Sequence, residues 1–196
     1  MTSECSQLLV NRELVCRLYD VWSALPEGKP RQALSPLALG AHLLPHLALL
    51  RTLPAEFRCE LVGEQAGELA GALRRGQTAG QDRAPGADCS NAFRMMRAVA
   101  ESRRPGAQFT GLVNRSGNLN RCFAMTLPLS ISGHAANDLL IGIWPSALGT
   151  QGPQETGTDT PVQVEDLIAE LYRTRPLAPR LAIRRIAFGG ESIASC

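Results

Sequence analysis

Apolar residues first recur at helical spacing close to the N-terminus. Leu14, Leu18, Val21, Trp22 and Leu25 alternate with Arg12, Glu13, Arg17 and Asp20, which predicts an amphipathic helix ending before Pro26. A small domain that left this stripe partly uncovered would use those five apolar residues as an interface, most simply in a homodimer. The stretch PEGKPRQAL reads as a loop, and Ser35-Pro36 opens a second helix, PLALGAHLL, that stops at Pro45. Serine caps free amides there, and proline is tolerated at the first helical position.

From His46 the period changes from helix to strand. LALLRT, the turn-like LPAE and FRCELVG predict a β-hairpin in which Phe57, Cys59 and Leu61 alternate with Arg58 and Glu60. Glu64 to Leu73 is rich in Ala, Leu and Gly and reads as a short helix, and RRGQTAGQDRAPGADCS as a polar loop. Helical spacing returns from Asn91 to Arg103 through Phe93, Met96, Val99 and Ala100, ended by Pro105-Gly106. Three strands follow, GAQFTGLVNR, LNRCFAMTLPLSI and DLLIGIWP, separated by turns at Ser116-Gly117-Asn118 and SGHAAN. Beyond Pro145 comes a loose linker and a last helix, VQVEDLIAELYRT, with Val164, Leu167, Ile168 and Leu171 on one stripe. The expected division is an N-terminal helix and loop at 1–34, a core at 35–148, and a linker, short helix and Arg-rich tail at 149–196.

Length and composition narrow the class. A chain of 196 residues suits one domain with tails. Twenty basic against eighteen acidic residues leave a formal charge of +2, too little for a global field that would draw in nucleic acid or an anionic membrane. Cys5, Cys16, Cys59, Cys89, Cys122 and Cys196 form no C-x-x-C pair and no zinc-knuckle spacing, which suits reduced thiols in a cytosol. Charges interrupt the N-terminal apolar pattern, and no run approaches the ~20 apolar residues that span a bilayer. The expectation is a soluble cytoplasmic protein without a membrane partner.

Three stretches carry a resemblance: LYDVWSALPEGKPRQALSPLALGAHLLPHLALL, FRCELVGEQAGELAG and RCFAMTLPLSISGHAANDLLIGIWP. With Tyr19 and Trp22 on the first helix, a Pro-rich loop and the L-P-H-L segment from Leu44 to Leu47, the chain resembles a divergent family of bacterial PAS-like proteins over roughly residues 14 to 145. The resemblance implies an α+β fold: a PAS-like five-stranded antiparallel sheet with N-terminal flanking helices, a helical middle segment and a C-terminal helix or tail. It also implies a sensory or scaffolding role, without specifying a ligand or requiring a cofactor.

Candidate chemistry is sparse. Period-two counting gathers Phe57, Cys59, Leu61, Phe109, Val113, Phe123, Met125, Leu127 and Ile141 on one sheet face, with Met96 facing them from the middle helix. Such a face either encloses a small apolar ligand or is a filled core, and the filled core is the simpler reading because apolar strand faces are buried in every sheet protein. His42 and His46 stand four apart, but Pro45 intervenes and no third ligand is near, so neither a metal nor haem is expected there or at His134. The sequence holds no nucleophile elbow, and its one lysine, Lys29, sits in no phosphate loop, so no enzyme is expected. The tail YRTRPLAPRLAIRRIAFGG carries Arg173, Arg175, Arg180, Arg184 and Arg185, which could bind phosphates by counterion release. Only Tyr172 and Phe188 supply aromatic surface, so a nucleic-acid-associated regulator is the second reading. The first is a non-catalytic PAS-like sensory or protein-interaction module that signals by contact.

Overall fold

The long apolar runs in the second half of the chain build the middle of an antiparallel sheet. A computed structural model describes residues 9, 11–80, 87–130, 136–147 and 160–174. Its strands are β1 Leu47–Thr52, β2 Glu56–Val62, β3 Thr78–Gly80, β4 Gly106–Val113, β5 Leu119–Ser130, β6 Ala136–Pro145 and β7 Thr160–Val162. They lie in the order β3-β2-β1-β6-β5-β4-β7, with every pairing antiparallel. The helices are α1 Arg12–Ser23, α2 Pro36–Leu39, α3 Glu64–Leu69, α4 Ala87–Ser102 and α5 Val164–Arg173. The protein is therefore α+β, and the five expected strands are present with a three-residue strand added at each edge.

Topology decides what covers each face. β2 and β4 are consecutive long strands, yet β1, β6 and β5 separate them. The chain between them must cross the sheet, and it does so with α3 and α4 packed on one face. The opposite face is left to α1 and α5, whose residues Val15, Leu18, Trp22, Val164, Leu167 and Leu171 are buried there. With both faces covered, β5 is buried at every position from Cys122 to Ser130.

On the α1 face the side chains are large. Phe109 and Phe123 lie 5.2 Å apart between centroids, Phe123 and Trp144 stack at 6.2 Å, and His46 stacks on Trp144 at 6.1 Å. Gly142 makes room for this stack, because a Cβ there would collide with the Trp144 indole and lie 2.7 Å from Leu18 Cδ2. The Trp22 indole N–H donates to the Pro128 carbonyl at 2.9 Å in a buried hydrogen bond. Lys29 Nζ donates to the carbonyls of Ser23 and Leu25 and sits 5.1 Å over the Trp22 ring, which satisfies the open end of α1.

Several boundaries differ from those the pattern predicts. The helix expected over PLALGAHLL is one turn, Pro36–Leu39, capped by the Ser35 hydroxyl and ended at Gly40, and Leu44–His46 forms a separate 3-10 turn. α4 begins at Ala87 instead of Asn91, and β3 lies within the stretch read as a polar loop. The boundaries at 34 and 148 are not places where packing stops: α1 lies on the sheet, β7 pairs with β4, and α5 packs against α1. The interface stripe is likewise taken up internally. Leu18, Trp22 and Leu25 are buried in the chain's own core, and Leu14 and Val21 are half-buried against it, so the sheet occupies the surface on which a dimer was expected to form.

Candidate functional site: an apolar cavity under α4

The two faces are not packed alike. Beneath α4 lies a partly open cavity of about 70 Å³, roofed by Leu73, Phe93, Met95 and Met96 and floored by Thr110, Ala124, Thr126, Ile141 and Ile143. Small residues create it. α4 is drawn close to β4 at Gly106, where a Cβ would lie 2.7 Å from Val99 Cγ2, while Ala92 above and Ala124 below leave a gap further along. None of the residues lining it carries a charge.

Three polar groups on this face have no partner. Thr110 Oγ1, Thr126 Oγ1 and Gln108 Nε2 are buried without a hydrogen bond, and the residues are 4%, 0% and 4% exposed. Buried polar atoms are nearly always paired, so such groups beside a cavity are the natural attachment points for a guest or an ordered water. Cys59 and Cys122 share this face. Burial pushes the Cys122 thiol up to about 12, and burial followed by the charge of Glu60 raises Cys59, so both stay protonated and act as small apolar side chains.

The structure divides the ten sequence candidates between both faces. Met96, Val113 and Ile141 line the cavity. Phe57 and Cys59 lie on the same face toward β2, where Phe57 stacks on Phe93 at 6.1 Å and carries the Arg97 guanidinium 4.9 Å above its ring. Phe109, Phe123, Met125 and Leu127 belong to the opposite, α1 face. Leu61 is 48% exposed. Its displacement has a local cause: Leu50 pairs with Cys59 but Leu49 with Leu61, so Glu60 is an extra residue, and this bulge turns Leu61 to the other face. The strand residues of the cavity that counting missed are Thr110, Leu112, Ala124, Thr126 and Ile143, three of them small or polar positions between the apolar ones.

Other candidates are kept apart. His42 lies on a surface groove of about 410 Å³ with Glu13, Arg17 and Asp20. His46 is buried where the chain enters β1, and burial holds its imidazole below the ordinary value, partly offset by the Ile143 backbone. Among the described residues no group of three or more His, Cys, Asp or Glu could hold a metal. Asp138 on β6 is fully buried beside two guanidiniums, Arg31 at 2.7 Å and Arg51 at 3.8 Å, which ties the loop after α1 to the sheet. Arg173 pairs with Glu170 within α5, and Arg175, Arg180, Arg184, Arg185 and His134 lie outside the described residues. No described helix is long and apolar enough to cross a membrane. No protein-family model matches the chain, and no curated protein matches its sequence.

Proposed function

We propose that the chain is a PAS-like sensory or protein-interaction module without catalytic machinery of its own, in which the cavity under α4 receives a small apolar molecule. The observation that carries this reading is the contrast between a floor of β4, β5 and β6 fixed in a seven-stranded sheet and a roof of Leu73, Phe93 and two methionines. The element order of two strands, a helical middle and three strands supports the PAS-like part. Methionine side chains re-pack easily, so a guest can displace the roof without disturbing the floor, and a shift of α4 is then available to a partner by contact. The α1 stripe, already buried, does not serve as that contact in this reading.

Native mass spectrometry of the full chain, purified without detergent, tests it. The expected result is a non-covalent small-molecule adduct that Ala124→Leu, which fills the cavity floor, removes while the protein stays folded. Bare protein that also takes up none of a panel of small apolar molecules would overturn the reading.

A further inference from the structure

Phe93 lines two hollows at once. Inward it roofs the cavity of about 70 Å³, and outward it walls a surface cleft of about 200 Å³ beside α4. Ala55 in the turn between β1 and β2 and Ala98 on α4 are too short to fill this cleft. Its other walls are aromatic and cationic. Phe57 stacks on Phe93 at 6.1 Å, and the Arg97 guanidinium stands 4.9 Å over the Phe57 ring while its Nη1 donates to the Leu53 carbonyl at 3.2 Å. Fixed by ring and carbonyl, that guanidinium presents its other N–H groups in a set plane. Arg94, one turn earlier on α4 and exposed, also lines the cleft. Neither arginine forms an ion pair with a described residue, and Glu101 is the one carboxylate in the lining, so the cleft is net positive.

We propose, resting on the reading of the inner cavity as a ligand site, that the two hollows take the two ends of one amphiphile. A carboxylate sits on Arg94 and Arg97, and a short unbranched alkyl tail passes the Phe93 ring to end under α4. Charge decides the orientation. The cavity lining carries none, so a carboxylate buried there would be strongly disfavoured, whereas the cleft offers two guanidiniums at the surface. Size decides the tail. An apolar cavity of roughly 150 Å³ takes benzene, so about half that volume suits the last three or so carbons, and the rest of the chain lies beside Phe93 and in the cleft. Phe93 is half-buried, and the broad torsion at the end of its side chain lets the ring turn aside without moving the sheet.

Titration of the methyl-labelled full chain with hexanoate and, separately, with hexanol, the same chain with a neutral head, tests the assignment at the methionine methyl resonances. The expected result is that hexanoate shifts Met95 and Met96 in a saturable way and binds roughly tenfold more tightly than hexanol, the size of effect a charge-assisted hydrogen bond gives. Added salt should weaken hexanoate and leave hexanol unchanged. Arg94→Gln alters an exposed side chain, so the variant should melt with the wild type and lose most of the preference for hexanoate. Hexanol binding as tightly as hexanoate, or a preference for hexanoate untouched by Arg94→Gln, overturns the anionic head and leaves the cavity reading standing. Hexanoate binding that depends on Arg94 without shifting Met95 or Met96 is confined to the cleft and overturns the spanning ligand. Binding of neither molecule overturns both.

Discussion

The two faces of one sheet are covered in opposite ways. On the α1 side, Trp144, Phe123 and Phe109 meet Leu18 and Trp22, and a glycine at 142 is needed to seat the indole. On the α4 side, alanines at 66, 70 and 124 and a methionine at 96 meet the same strands, and about 70 Å³ stays open. Both helices carry an amphipathic pattern, so the hydrophobic stripe alone does not separate them. What separates them is side-chain volume: large groups interdigitate to crystal-like density, whereas short ones held on rigid strands cannot close the gap. The first face holds the fold together, and the second leaves room for a guest.

Truncations should show this contrast most strongly. Met125→Ala on the filled face should cost about 4 kcal/mol in urea unfolding, toward the upper end of such losses, and the same truncation at Met96 beside the cavity should fall at or below their low end, about 2 kcal/mol. Equal costs would mean that the faces are packed alike. Next in size is the tie from the loop after α1 to the sheet. Arg31→Ala leaves the fully buried Asp138 with only Arg51 at 3.8 Å. Because Arg31 is itself about one-third exposed, the loss should be about 2 kcal/mol, less than for a wholly buried pair. A change within about 0.5 kcal/mol, the usual range for a surface substitution, would show that the loop is held by other contacts.

The smallest effect is a pH dependence confined to the filled face. Burial keeps His46 neutral, so the folded protein binds its proton less readily than the unfolded chain does. Unfolding therefore takes up a proton, and stability falls as the pH drops below the ordinary imidazole value of about 6.5, levelling off below the lowered folded value. Denaturation midpoints for wild type and His46→Phe at pH 7.5 and pH 5.0, both within reach of imidazole titration, should differ in slope. The wild type should lose the more stability on acidification, and parallel losses would remove His46 from the account.

Much of this architecture was legible in the sequence. Leu14 to Leu25, the hairpin around LPAE and the turn at Ser116-Gly117-Asn118 each carry a local signal: a helical period, an alternation, or a residue suited to a turn. There the Asn114 side chain accepts from the amides of Ser116 and Asn118. The division of strand residues between faces was less legible. In β5 both odd and even positions are buried, so period two marks a strand without telling which helix will cover each side. The Glu60 bulge is invisible to any count that assumes unbroken alternation, and it moved Leu61. The cavity rests on Ala124, Thr110 and Thr126, whose importance lies in what they fail to fill and fail to bond. The covering of α1 and the integration of β7 and α5 depend on contacts between distant segments, which no local window contains.

The central claim is that the cavity lies under α4, away from the aromatic stack on the other face of the sheet, and the methionines report on it directly. Met95 and Met96 line the cavity, and Met125 is fully buried on the opposite face of the same sheet. A titration of methyl-labelled protein with toluene, followed through the methionine methyl resonances, should shift Met95 and Met96 in a saturable way and leave Met125 in place. Saturable shifts of Met125 equal to theirs, or no shift at any of the three, would contradict it.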